Sequence, residues 1–572
     1  MKKIIGLIAA VLMLAAGVVN AQNTYIWDGE TDGNWGTAAN WNTSPTWNNN
    51  AIAEFNAVVT STTNVFLGSG ARIVRGLSFN ANADSNIGIN LADSNGTTAR
   101  NLSMNSFITG APTINVDSGA AADIRIFGPG SLVLATGVGA PVTNLIINHS
   151  GSGNLGIEAK ITSTAGFGIV KNGAGTLTLA PSGDNTYKDF TLNDGRVRIG
   201  GTSVSTALGT NTVYLNGGTL SSDSITARST AQALVFGGNV KLGHATETGA
   251  LTLTGAADLG GATRTITADS AVTMGGVISN GGLTKDGSGM MTLTNANTYA
   301  GVTTVKAGAL NIRNASALGT TAGNTVVQSG GSLQLQGSNM TISENINIAG
   351  VGAGGTSVGA LRNVLTGGGS NTVSGLVTLD GDATIAGGHR LTLTGGVANN
   401  HVLAHSGGVT LVVDSAITGS GSILKDATAD LTLKGLNTYT GNTTINAGSM
   451  LLADNAGLTF VIGANGVNNK LTGTGTVNLD GDFTFNLTTA GTTVGDLWTI
   501  SDVSSQTFGS TFTVVDFTDA GSDKWTKTIA GSKYYEFSES SGVLTVIPEP
   551  ATIGMLGLGA IITMWLRRMR TR

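Results

Sequence analysis

Five histidines and two Asp-Gly-Asp triplets are the residues of this chain whose types and spacing could do chemistry. His401 and His405 stand four apart, a spacing that on a helix would turn two imidazoles toward one metal ion. Their segment reads as strand and turn, where that spacing makes no metal face, and no His-Glu-x-x-His occurs anywhere. His149, His244 and His389 complete the set. Asp380-Gly381-Asp382 and Asp480-Gly481-Asp482 offer oxygen ligands of the kind calcium takes. Asp-Gly is also a strong hairpin signal, and calcium-binding nonapeptides need tandem copies that this chain lacks, so a β-turn is expected at both places. Acids are otherwise sparse and scattered. No pair can be nominated for the two carboxylates, about 5–10 Å apart, that a glycosidase requires. The sequence nominates no catalytic, cofactor-binding or metal-ligating residue, and no cofactor.

Three lysines and three tyrosines recur in matching contexts. Gly168-Ile169-Val170-Lys171-Asn172-Gly173-Ala174-Gly175-Thr176-Leu177-Thr178-Leu179 precedes Asn185-Thr186-Tyr187. Gly282-Leu283-Thr284-Lys285-Asp286-Gly287 to Leu293 precedes Asn297-Thr298-Tyr299, and Ser422-Ile423-Leu424-Lys425-Asp426 to Leu433 precedes Asn437-Thr438-Tyr439. The Lys-to-Tyr spacing is 16, 14 and 14 residues. Weaker echoes follow: Ala207-Leu208-Gly209 and Ala317-Leu318-Gly319. Triplication of one charge points to an exposed turn or corner residue for Lys171, Lys285 and Lys425. Tyr187, Tyr299 and Tyr439 read as packing at repeat corners.

The elements around these positions have period two. Thr176-Leu177-Thr178-Leu179 alternates polar and apolar, the mark of a strand with one buried face. Glycine is 86 of 572 residues, about twice the usual share, and charged residues are 11%, under half of it. Low charge with only 7 prolines argues against disorder. Short strands joined by Gly and Asn turns, stacked copy on copy, predict an all-β fold, a right-handed parallel β-helix or β-solenoid. At roughly 20–25 residues per coil it would make about 20 coils. There is no cysteine, which excludes disulfides, thiolate metal sites and a lipoprotein anchor. Setting aside Lys2, Lys3, the four terminal arginines and Glu549 leaves 23 basic against 33 acidic residues, a formal charge of −10. That charge suits neither nucleic acid nor anionic lipid.

The three copies resemble the autotransporter-associated β-strand repeat, a Gly-Leu-Thr-Lys-x-Gly-x-Gly-x-Leu-x-Leu run followed by Asn-Thr-Tyr-x-Gly-x-Thr. The third departs, with Ala427-Thr428-Ala429-Asp430 in place of the Gly-x-Gly turn, so its corner is expected to differ. Trp27, Trp35, Trp41 and Trp47, set among Asp, Gly and Asn, are a pattern that often opens such proteins. They read as a cap over the open end of the solenoid, with a sugar-stacking platform as the alternative. The aromatic stretch from Phe483 to Phe537 is expected to close the other end.

Both termini read as addresses. Lys2 and Lys3, an apolar stretch and Val19-Asn20-Ala21 predict a signal peptide over 1–21, cleaved between Ala21 and Gln22. Pro548-Glu549-Pro550, an apolar run over 551–566 predicted as a single hydrophobic helix, then Arg567, Arg568 and Arg570 resemble the PEP-CTERM sorting signal. The two prolines would hold the segment extended and stop regular structure there. The resemblance implies processing by an exosortase-like enzyme after transient membrane insertion of the helix.

The expected order is a Trp-rich cap over 22–57, a solenoid over 58–470, a β-rich cap over 471–547 and the sorting tail over 548–572. The expected function is that of an exported, non-enzymatic β-solenoid of the cell surface or extracellular matrix, for adhesion or exopolysaccharide scaffolding. A β-helix polysaccharide lyase or hydrolase is the alternative, by fold analogy. Signal peptidase, an exosortase-like enzyme and extracellular polysaccharide are the partners this implies, and nucleic acid is not one.

Overall fold

The computed structural model describes residues 23–549, less short stretches (28–33, 46, 48–50, 56–62, 69–71, 81–85, 94, 107–109, 137–139, 203, 355–357 and 366), together with 563–568. The signal peptide with Ala21 and Gln22, and Pro550, Arg570 and most of the tail, lie outside the described residues. The chain forms two compact units that divide near residues 260–272.

In the N-terminal unit the strands stack as parallel ladders. One runs through Asn23–Trp27, Ala51–Phe55, Gly76–Phe79, Thr113–Val116, Leu145–His149, Ile169–Asn172, Phe190–Leu192, Thr212–Leu215 and Ala233–Phe236. A second runs from Thr63–Phe66 through Thr176–Leu179 to Val240–Leu242. A third, Arg72–Val74, Leu102–Ser106, Ser131–Thr136 and Lys160–Ser163, covers only the first coils. Beyond it Asn185-Thr186-Tyr187 takes the third side without forming a strand, and Thr186 donates its amide to the Ile161 carbonyl at 2.9 Å. Alternation decides which face turns inward, as in Thr176–Leu179, where both leucines are buried and both threonines half-buried. Expectation and structure agree on an all-β, parallel solenoid.

The C-terminal unit keeps three sides with a tighter period. Val377, Val397 and Ile417 align one above another, as do Leu391, Leu411 and Leu431, so successive coils there advance by 20 residues. Parallel rungs continue to Phe508. An antiparallel sheet of Leu497–Thr499, Val543–Pro548, Lys533–Ser538, Lys524–Ile529 and Thr518–Asp519 follows. Its Phe537 meets Phe483, Phe485 and Phe512, ring centroids 5.5–6.4 Å apart, so aromatics close the coil interior. The sheet takes in the first residue of the Pro-Glu-Pro motif, where regular structure was expected to stop. Pro548 is the last strand residue, opposite Lys533, and the Glu549 amide donates to the Ser532 carbonyl.

The four tryptophans cluster beside the first rungs. Trp35 packs against Trp41, Trp47 and Phe55 with centroids 5.2–5.9 Å apart. Trp27, Trp35 and Trp41 are buried, which leaves them no open face for a sugar. Ile26 at the first rung donates its amide to Asn42 Oδ1 and accepts the Asn42 amide at its carbonyl, both at 2.9 Å. Both backbone groups of Ile26 on that edge are thereby paired, which withholds them from another strand. Thr563–Arg568, including Arg567 and Arg568, are helical and exposed. Among the described residues no helix is long and apolar enough to cross a membrane.

Candidate functional site

The repeat lysines correct the sequence reading. Lys171, Lys285 and Lys425 are interior residues, each 0% exposed, rather than exposed corner residues. Each occupies an apolar stacking position: Lys171 lies in register between Ile147 and Leu192, Lys285 beside Val305, Lys425 between His405 and Ile445. The physical reason is the corner that follows. Where the chain leaves one side of the coil, carbonyls drop out of the ladder and face inward, and a buried carbonyl requires a donor. A lysine stem can lie along the apolar column while its head reaches those oxygens.

The bonds repeat. Lys171 Nζ donates to the carbonyls of Asn172 at 2.9 Å, Gly173 at 2.6 Å and, one coil on, Asp194 at 3.4 Å. Lys285 Nζ donates to Gly287 at 2.5 Å and to Ala307 of the next coil at 2.8 Å. Lys425 Nζ donates to Ala427 and, at 2.9 Å, to Ala447 of the next coil. Each ammonium thus ties a corner to the corner above it. Burial lowers the Lys171 ammonium to about 8, opposed by Asp194, and lowers Lys425 against Asp430 and Asp426.

The sequence reading quoted the Asn-Thr-Tyr asparagines and gave them no role. They are buried, at 1%, 5% and 1% exposure for Asn185, Asn297 and Asn437. Asn297 Oδ1 accepts the Ile278 amide of the coil below at 2.8 Å, and its Nδ2 donates to the Ala317 carbonyl of the coil above at 2.6 Å. Asn185 links Ile161 to Ala207, and Asn437 links Ile417 to Gly457, in the same manner. One amide side chain bridges three coils; in the first two copies it does so where no strand supplies the ladder, and in the third beside the short rung Leu436–Asn437. The Ala-Leu-Gly echoes hold the accepting carbonyls of the first two copies. Triplication beside a tyrosine was the available signal.

The tyrosines pack at the same place. Tyr187, Tyr299 and Tyr439 are at most 3% exposed. Tyr187 donates its hydroxyl to the Ala207 carbonyl at 2.6 Å, whereas Tyr299 and Tyr439 pair with the hydroxyls of Thr303 and Thr443 at 2.7 and 2.5 Å. Burial raises all three phenols, Tyr439 to about 12.

The other candidates stay apart. His401 is exposed and His405 buried, where Nε2–H donates to the Val409 carbonyl at 2.7 Å. Burial holds His405 and His149 down to about 4, so both are neutral imidazoles. The β-turn expected at Asp380-Gly381-Asp382 is absent, and at Asp480-Gly481 the chain bends without reversing. Asp380–Asp382 lie inside the continuous strand Val377–Gly387, and Asp480-Gly481 is a corner between two parallel rungs. Coiling replaces reversal because each rung pairs with the rung one coil away. The carboxylates are engaged across coils: Asp380 accepts Asn347 Nδ2 at 2.9 Å and Asp482 accepts the Thr513 hydroxyl at 2.5 Å. Among the described residues no group of three or more His, Asp or Glu is placed to hold a metal ion.

Sequence reading also missed two charged features. Glu247 meets Arg196 Nη2 at 2.8 Å and His244 Nδ1 at 2.7 Å, and the Thr246 hydroxyl, then the hydrogen bond and charge of Arg196, hold its carboxyl at about 2. Glu344 is buried, accepts the Thr325 hydroxyl at 2.9 Å, and is raised to about 7 by desolvation. Arg196 is 51 residues from Glu247 and Thr325 is 19 from Glu344, separations that a linear pattern does not announce.

Comparison with known proteins agrees with the repeats. The Passenger-associated-transport-repeat family model matches residues 169–199, 283–312 and 428–452, taking up the third copy only after Lys425. The chain is 31% identical over 331 residues to "Adhesin BmaC autotransporter" of Brucella suis biovar 1 (strain 1330). The match covers 56% of this chain and 8% of that protein's length. No solved structure matches significantly. The chain thus carries a repeat similar to that of autotransporter passengers, on an all-β parallel solenoid.

Proposed function

We propose that this chain belongs to an exported cell-surface protein that acts by adhesion, without catalysis. The observation that carries the reading is the similarity over 331 residues to an autotransporter adhesin, in a chain whose recurring lysines and asparagines bond coil to coil. Backbone and side-chain hydrogen bonds spread evenly along a solenoid suit a protein that must remain folded outside the cell without disulfides. In this reading residues 1–21 direct export. Pro548-Glu549-Pro550 and the segment that follows direct sorting by an exosortase-like enzyme, with an extracellular polysaccharide as the partner to which the outer faces adhere.

The test is protease shaving of intact cells, with mass spectrometry of the terminal peptides and attachment to polysaccharide-coated surfaces in cells with and without the chain. The reading expects shaved peptides from 23–547, a mature start at Gln22, and attachment lost with the chain. Protein confined to the cytoplasm would overturn it. So would release of sugar fragments from a polysaccharide panel that disappears when one Asp or Glu is replaced.

A further inference from the structure

Five asparagines stand in line across successive coils of the N-terminal unit. Each of Asn148, Asn172, Asn193 and Asn216 donates Nδ2 to Oδ1 of the one before, beginning at Asn115, at 2.8–3.0 Å. Two rungs precede glycine, Asn172-Gly173 and Asn216-Gly217. Before glycine, no Cβ hinders the backbone nitrogen from reaching the asparagine side-chain carbon.

The two rungs are held differently. Asn172 is inside the ladder: its Nδ2 donates to Asn148 and its Oδ1 accepts from Asn193. Its backbone carbonyl accepts Lys171 Nζ at 2.9 Å, a bond that turning of that peptide plane would break. Asn216 is the last rung. Its Nδ2 donates to Asn193, the next coil offers Gly237 with no side chain to continue the line, and Asn216 is exposed. The Gly217 amide has no hydrogen-bond partner among the described residues. At two other Asn-Gly pairs the attacking nitrogen is engaged: Gly96 donates to Asp93 at 2.9 Å and Gly466 to Leu497 at 3.0 Å. The Gly173 amide, like that of Gly217, has no hydrogen-bond partner among the described residues, so the bonds on Asn172 itself make the difference. Asn280, before Gly281, lies within the strand Ile278–Asp286.

We propose that Asn216 is a site of spontaneous deamidation. The Gly217 nitrogen attacks Asn216 Cγ, a C–N bond forms, the bond from Cγ to Nδ2 breaks, and ammonia leaves with the proton that the amide gives up through water. Water then opens the succinimide at either carbonyl, giving aspartate or isoaspartate. Aspartate removes the donor to Asn193 and sets a carboxylate against its Oδ1. Isoaspartate also lengthens the backbone at the corner between Thr212–Leu215 and Thr219–Ser222. Either product frays the open end of the ladder, while its interior rungs guard one another.

The experiment holds the full chain at mildly alkaline pH, folded and in urea, and follows every Asn-Gly pair by peptide mapping that resolves isoaspartate. In the folded chain Asn216 should convert roughly tenfold faster than Asn172, because two further hydrogen bonds hold Asn172. In urea the two rates should agree within about twofold, since the ladder is gone. Asn193→Ala removes a bond from each and should raise the Asn172 rate in the folded chain. Equal rates in the folded chain would overturn the proposal, as would conversion of Asn216 in urea alone.

Discussion

The second and third repeat copies differ at the corner where their lysines act, yet the bonds are the same. In the second, Lys285 precedes Gly287, whose φ is +80°, and in the third Lys425 precedes Ala427, which keeps a negative φ. Both ammoniums reach a carbonyl two residues on and another 22 residues on. The copies also sit on different sides of the coil. Met291–Leu293, the strand after the Lys285 corner, stacks through Leu310, Leu333, Leu361, Ile385 and His405 onto Lys425 itself. The motif has moved round by one side, so the two lysines share no column. What is preserved is a local need, inward carbonyls at a corner of two adjacent coils. Corner sequence and placement around the solenoid are free to change.

That comparison can be broken most forcefully at the lysines. Lys285→Ala and Lys425→Ala each leave a cavity and two unpaired buried carbonyls, and should lower local stability by about 3–5 kcal/mol. Lys→Met keeps the stem's packing and should cost about 1–3 kcal/mol. Hydrogen exchange of the amides in those coils measures it, because a long solenoid has no single unfolding free energy. A large loss at one copy and none at the other would break the equivalence.

Next come the glycines over each corner. A Cβ at Gly308, φ +65°, would lie 2.4 Å from the Gly287 oxygen and 2.7 Å from Lys285 Nζ. At Gly448, φ +64°, it would lie 2.5 Å from the Thr428 oxygen. Alanine should cost about 2–4 kcal/mol at each, read by the same exchange. Asn297→Ala and Asn437→Ala should each cost about 1–3 kcal/mol, loosening the coils on both sides.

Acidity should separate the copies. His405 lies under Lys425, and burial holds it at about 4 against an ordinary 6.5. The unfolded chain therefore takes up the proton first, and stability present above 6.5 is lost as pH falls to about 4. Glu344, near the second copy, is raised from 4.5 to about 7, so its contribution is full below 4.5 and is lost as pH rises to about 7. Exchange across that range should protect the Lys425 coils better toward neutral pH and the Glu344 coil better toward acid. The smallest effect belongs to the exposed Asp286–Lys306 pair, 2.9 Å apart, where Lys306→Ala should cost under about 1 kcal/mol and less in high salt.

Much of the fold was legible because it is written in period two. Leu177 and Leu179 turn inward as their alternation requires, and the Lys-to-Tyr repeat marks whole coils. The lysines were misread because charge alone was weighed. A single charge in an apolar stacking column carries the same letters as one on a turn, and only the neighbouring coil reveals that Ile147 and Leu192 flank Lys171. The turn expected at Asp380-Gly381-Asp382 failed for a related reason. Asp-Gly bends a chain, but whether the next strand reverses or coils onward depends on pairing 20 or more residues away. Asn297 and Glu344 bond to residues 19–20 positions distant in sequence, beyond any local pattern.

The most direct measurement is acylation of amines on the folded chain, mapped by mass spectrometry. Lys306, Lys434 and Lys524, with side chains 57%, 44% and 46% exposed, set the rate for surface amines. Interior lysines predict that Lys171, Lys285 and Lys425 remain unmodified until the chain is unfolded. Modification of these three at the rate of Lys306 in the folded chain would contradict the corner-to-corner role assigned to them.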